Sequence, residues 1–521
     1  MSLSRPASQP PTRRRFLGLC LTFAAVSLSA CGGAPSAAST AASSSAVSAA
    51  ASTPAGSSAT TTATAVASAT TSAAPATSAS ATSAAATATA SSSTAASSLS
   101  SAATASSAAP SAAGKTFNYW SWWSPSSNPS FKTWWDFIKP DYASKHPGTS
   151  LNVDFVTDDG DYETKFLATV AGGSAPDALH LDIVFAWDVW RHGVLADLSP
   201  YVARTPQLAA DKFFAGAKYY TQDSGKTFGV ATEGPAGYAL AYNLDHFQQV
   251  GLPTDTATTW AWTWQDFTDA ASKLTKRSGD TITQSGWLGA SGAVEYFCDW
   301  LYSDGGTFYQ PDYKSVAFDD GRGAAVLQFL SDMQNKQRVA APTPKGSSSR
   351  QEFWNEKASM VTYGMYLIFD TKQKAPNLHY DLMPFPKGPE GKGPATALEY
   401  DMEVIPQGTK DKDLAWEWVS YYAGADVQAA LPAKIAFVSP RLDVYDSSSW
   451  KDTIKQAPLL DRVPKIAALA GDQAYPFIEM AEVYKELPPI FGQVLQGQLG
   501  AAQAVTEAAD KVKIILAQAN A

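Results

Sequence analysis

Residues 32–114 are almost entirely Ala, Ser and Thr, with occasional Gly, Pro, Val and Leu and no charged residue. Such a stretch has too little apolar surface to offset the entropy of ordering. Its Ser and Thr side chains compete for the backbone hydrogen bonds a helix needs, and no apolar stripe runs along it. The region 31–114 therefore reads as a disordered tether, on the order of 50 Å across as a random coil. Any core must come from residues 115–521. Those 407 residues exceed what one core normally holds, so two lobes are expected.

Ahead of the tether, Arg13-Arg14-Arg15-Phe16-Leu17 opens an apolar run ending in Leu28-Ser29-Ala30-Cys31. A basic start, a short apolar segment and small residues before a cut site describe a signal peptide over residues 1–30. The arginines followed by Phe16 and Leu17 resemble a twin-arginine export address. Leu28-Ser29-Ala30-Cys31 resembles the lipobox of bacterial lipoproteins, which implies lipidation of Cys31 and a membrane anchor on the outer face of the cell membrane.

All 16 tryptophans lie in the body. The first 114 residues contribute four arginines and no acid, so the body holds 35 basic and 48 acidic residues, a net charge of −13. That surface repels nucleic acid, and no nucleic-acid partner is expected. Cys20 leaves with the signal and Cys31 carries lipid, so Cys298 has no disulfide partner. The five histidines show no paired metal-ligand spacing, and neither a metal nor a cofactor is expected.

Strand-like runs alternate with amphipathic ones: strands over 117–120, 151–156 and 178–181, helices over 131–144 and 161–171. This is an α/β pattern, in which ligands gather at the carboxyl ends of strands. Those ends hold Trp122, Trp123, Asp158, Asp159 and Asp182.

Pro176-Asp177-Ala178-Leu179-His180-Leu181-Asp182, Trp187 and the run 193–201 (GVLADLSPY) open an ordered series of motifs. It continues through Gly225-Lys226-Thr227-Phe228-Gly229-Val230, Tyr242-Asn243, Gly251-Leu252-Pro253 and Thr263-Trp264-Gln265-Asp266-Phe267. Residues 358–364 (ASMVTYG), 383–389 (MPFPKGP) and 415–419 (AWEWV) complete it. In this order the body resembles the extracellular solute-binding proteins of ABC importers, of the sugar-binding, maltose-binding-protein-like kind. The resemblance implies an α/β fold of two lobes joined by crossing hinge strands, with the ligand in the cleft between them. It also implies a monomer that serves the transmembrane subunits of an ABC permease. Crossings are expected near 230–233, 361–363 and 398–401. Lobe 1 would then comprise about 115–232 and 362–398, and lobe 2 about 233–361 and 399–521.

A sugar presents hydroxyls around apolar C–H faces, so its site needs flat aromatic walls and hydrogen-bond acceptors. The candidates are Trp122 and Trp123 after the first strand, Asp182 and Trp187 after the third, and Glu233 and Tyr238 at the first crossing. Trp300, Tyr363 and Tyr366 supply further aromatic surface, and Glu399, Tyr400 and Asp401 stand at the last crossing. The alternative for Asp182 is a helix N-cap. Arg441 is expected in a salt bridge with one of the crossing acids.

Capture by cleft closure needs no chemistry, and no enzyme is expected. Two other readings remain open: the same fold holding a polyamine or other small cation through aromatics and acids, and a glycoside hydrolase using two of Glu233, Glu399 and Asp401.

Overall fold

The computed structural model describes residues 114–156, 162–289, 291–339, 343, 347–470 and 473–519. The signal segment, Cys31, the tether to residue 113, and Asp158 and Asp159 lie outside the described residues.

Eight of the strands among the described residues build the two larger sheets: β1 (Lys115–Ser121), β2 (Thr149–Phe155), β3 (Ala178–Leu181), β4 (Gly229–Ala231), β5 (Tyr238–Asn243), β6 (Met360–Gly364), β7 (Tyr380–Met383) and β8 (Met402–Val404). They form two separate sheets. The first has the order β2-β1-β3-β8-β4, with β1 parallel to β2 and β3, and β8 antiparallel to β3 and β4. The second has the order β6-β5-β7 and is antiparallel throughout. Burial follows position. Edge strand β2 alternates half-buried and exposed residues, whereas all four residues of the interior strand β3 are buried, as a strand covered on both faces requires.

The helices that cover the first sheet include α1 (Pro129–Lys145), α2 (Tyr162–Gly172) and α3 (Ile183–Arg191). In α1, Asn128 caps the first turn by accepting from the Ser130 N–H, and Pro129 sits where its missing donor costs nothing. Phe131, Trp134, Trp135, Ile138 and Tyr142 then form its buried stripe. On the second sheet's side stand α4 (Val294–Ser303) and α5 (Arg322–Asn335). Later in the chain, α6 (Lys412–Tyr422) packs on β3 and α7 (Ala425–Ile435) on α1. The two C-terminal helices, α8 (Met480–Leu495) and α9 (Ala501–Ala519), pack on each other and on α5.

Strand pairing corrects the expected division of the chain. Residues 361–363 are not a crossing: Val361, Thr362 and Tyr363 pair with Ala241, Leu240 and Ala239 in the second sheet. Segment 362–398, assigned above to the first lobe, thus contributes β7 to the second sheet. Segment 399–521 begins instead with β8 in the first sheet. The chain leaves the first sheet after β4, returns at β8, and leaves again beyond α7, where Arg462 meets Asp381 of β7 at 2.8 Å.

Candidate functional site

The two segments that carry the chain between sheets, 232–237 and the end of 384–401, lie side by side. The Thr232 and Glu233 N–H groups donate to the Asp401 carbonyl at 3.0 and 3.3 Å, and Ala236 N–H donates to the Glu399 carbonyl at 3.0 Å. Glycine makes this approach possible. Gly234 has φ of +105°, and a Cβ there would stand 2.7 Å from the Glu399 carbonyl oxygen. At Gly237, with φ of +116°, a Cβ would stand 2.3 Å from that of Ala397. Buried Asp299 of α4 braces the second segment, accepting from Ala397 N–H at 2.9 Å and from the Tyr475 hydroxyl at 3.0 Å.

Here β3, the loop after β1 and both crossing segments place their polar side chains together. His180, Glu233 and Asp401 each offer a donor atom within 4.8 Å of the others, and His180 Nε2 is 3.6 Å from Glu233 Oε2. Burial dominates their electrostatics. It pushes the His180 imidazole down to about 3 and holds Glu233 and Asp401 well above the carboxylate range, reinforced by the neighbouring charge of Asp182. Glu399 rises to about 8 through burial and the charges of Asp182 and Glu295. Asp182 itself caps α3, accepting from Val184 N–H at 2.7 Å, so its helix-capping role is real, and its charge bears on the cluster as well.

Aromatic faces stand beside these acids. Trp122 is half-buried and stacks on His180 with centroids 5.3 Å apart. Tyr238, also half-buried, meets Tyr296 edge-on at 5.1 Å. Tyr363 lies between the Arg350 guanidinium, 5.1 Å away, and Tyr366, 5.4 Å away. Tyr366 is one of the few exposed large hydrophobic side chains. With Glu233, Phe437 and Val463 it lines a small cavity of about 30 Å³.

Three expected contacts fall elsewhere, and a fourth, Trp123, sits in the core against the cluster; in each case a large ring is drawn into packing. Trp123 is buried and stacks on Phe131 at 5.1 Å with 9° between planes, while its edge meets His180 at 5.4 Å, so it is core that borders the acids. Trp300 is fully buried among Trp264, Trp287, Phe329 and Phe385. Tyr400 points away from its neighbours Glu399 and Asp401 and packs on Tyr220 and over Gly216. Trp187 is buried on α3, where its indole N–H donates to the Tyr219 carbonyl at 2.5 Å and its ring meets Phe477 at 5.1 Å. That contact borders a different cavity, of about 490 Å³. Arg441 pairs with Asp443, two residues on, and not with a crossing acid.

Sequence reasoning missed His180, Tyr296, Asp299 and Tyr475. His180 shows no ligand spacing along the chain, because its partners come from segments 53 and 221 residues away. Tyr296 carries a legible signal, a spacing of four from Trp300 that puts both rings on one helical face without saying which meets the acids.

A profile of the family described as bacterial extracellular solute-binding protein matches residues 124–429. The arabinooligosaccharide-binding protein of Bacillus subtilis (strain 168) is 22% identical over 56% of this chain and 65% of its own length. Among solved structures, the GacH receptor of Streptomyces glaucescens, crystallised unliganded and with acarbose, is 21% identical with a TM-score of 0.64. It covers 78% of this chain and 99% of its own. An ABC substrate-binding protein of Listeria monocytogenes in complex with cycloalternan superposes with a TM-score of 0.65 at 20% identity, over 78% and 99%. These likenesses establish a two-lobe solute-binding fold. With more than half of its residues matched by the family profile, the chain belongs to the bacterial extracellular solute-binding proteins.

Proposed function

We propose that this chain is the lipid-anchored receptor of an ABC importer, capturing a sugar or oligosaccharide in its cleft and delivering it to a membrane permease. The observation that carries this reading is the convergence of Glu233, Glu399 and Asp401 with Trp122, Tyr238 and Tyr366 at the segments joining the two sheets. Acceptors and flat apolar faces in one place suit a polyhydroxylated ring. Solved relatives carry acarbose, cycloalternan and maltotriose, and curated relatives bind arabinooligosaccharides, which supports the same ligand class. Ligand shifts the equilibrium toward the closed form through the contacts it makes only there. No bond need be broken, so no enzymatic role is assigned.

The anchor belongs to the same reading. Lipid on Cys31 and the tether behind it confine the receptor near its permease and raise the effective concentration of the pair.

A thermal-shift screen of the full chain against maltotriose, arabinotriose, cycloalternan and spermidine tests the ligand class. A rise with one of the sugars and none with spermidine is expected. A rise with spermidine alone transfers the acid cluster to the cation reading. For the anchor, Cys31→Ala is expected to release the protein from the membrane fraction into the medium.

A further inference from the structure

We propose that His180, Glu233 and Asp401 together bind a divalent cation of borderline softness, with Zn²⁺ as the reference ion. One donor comes from β3 and one from each crossing segment, and all lie within 4.8 Å of one another. An ion bonded at about 2.0–2.2 Å sets tetrahedral ligand atoms roughly 3.4 Å apart. The His180 Nε2 to Glu233 Oε2 separation of 3.6 Å is close to that spacing, and an Asp401 oxygen lies within 4.8 Å of both.

A second observation points to the same occupant. His180 is 1% exposed, and among the described residues neither ring nitrogen has a hydrogen-bond partner. Buried polar atoms are paired as a rule, and an unpaired one points to an occupant that the protein's own groups do not supply. The His180 ring in its neutral form offers a lone pair, the form in which histidine ligates metals. Its orientation is fixed by Trp122 stacked on one face at 5.3 Å and Trp123 edge-on at 5.4 Å.

One imidazole and two carboxylates make a mixed N,O set that suits Zn²⁺ better than the harder Mg²⁺ or Ca²⁺. Three protein ligands leave a fourth position open. Because its ligands come from β3 and from both crossing segments, the ion clasps the first sheet to the connection between sheets.

The test is isothermal titration of the full chain, first stripped with chelator, with ZnCl₂ and no sugar present. One ion per chain is expected, with affinity falling at least about tenfold in both His180→Ala and Asp401→Asn. Asp401→Asn preserves shape should loss of the imidazole loosen the two tryptophans. His379→Ala removes an exposed histidine beside Asp245 and is expected to leave the titration unchanged. Co²⁺ in place of Zn²⁺ should give the visible bands of a four-coordinate ion, absent in His180→Ala. No saturable heat, or equal affinity in wild type and both variants, overturns the proposal. Sugar binding measured with and without chelator reports on the receptor reading separately, since either result can fail while the other stands.

Discussion

Arg441 is a charge carried into the interior, 1% exposed, and its guanidinium is held by two bonds to Asp443, at 2.9 and 2.6 Å, and by the carbonyls of Gln207 and Ala423. The pairing holds the Asp443 carboxyl below its usual range. A depressed carboxylate contributes stability that is present above the unfolded value near 3.9 and is lost as pH falls through the lower folded value. Asp443→Asn should therefore cost about 1–2 kcal/mol at pH 7, discounted because Asp443 is partly exposed. The difference from wild type should shrink as pH falls through the lowered folded value, in urea melts taken across the acid range. Trp122 makes a second residue-scale prediction: Trp122→Ala is expected to weaken sugar binding about 5- to 50-fold with little change in melting temperature, since the ring is half-buried, stacked on His180 and only edge-on to Trp123 and Phe131. Unchanged affinity by calorimetry would remove it from the site. At this scale the sequence was most legible where a residue's neighbours along the chain decide its role, as with Asp182 at the start of α3. It was least legible where packing chooses between adjacent rings. Trp122 and Trp123 are the same residue type side by side, and packing on Phe131, Trp134 and Phe437 sends the second inward.

Among elements, the crossing segments are the most exacting. At Gly237 an alanine meets both a left-handed φ of +116° and a carbonyl oxygen at 2.3 Å. Gly237→Ala should thus cost at least about 1–3 kcal/mol by denaturant melts, whereas Gly393→Ala, with open space around its Cβ position and no left-handed φ, should be close to neutral. Elements formed by local pattern were readable: 178–181 agrees with β3, and 131–144 lies within α1 (Pro129–Lys145). The run at 361–363 shows the limit. Its buried apolar residues fit a strand in either sheet, and periodicity carries no information about the partner. Long-range pairing with β5 decided it, moving two segments between lobes.

For the molecule as a whole, a ligand that binds only the folded form raises apparent stability in proportion to its occupancy. The preferred sugar at a hundred times its Kd should add about 2.7 kcal/mol, measured as a shift in the urea midpoint at fixed protein concentration. Two lobes were foreseeable from length alone, because 407 residues outgrow one core. Which strands belong to each was not, since the chain returns to the first sheet after completing the second. The backbone bonds between the two crossing segments, from Thr232 to Asp401 and from Ala236 to Glu399, carry a kinetic consequence. Paired connectors rotate as one plate, and points on a rotation axis are displaced least. On the proposed capture reading, Glu233 and Glu399 should therefore shift least between the open and closed forms and meet an incoming ring at first encounter. Substituting either should scale the affinity of both states alike and leave the open–closed ratio of the loaded receptor unchanged. Substitutions far from that axis, where the arc is long, should act instead on how long the ligand stays.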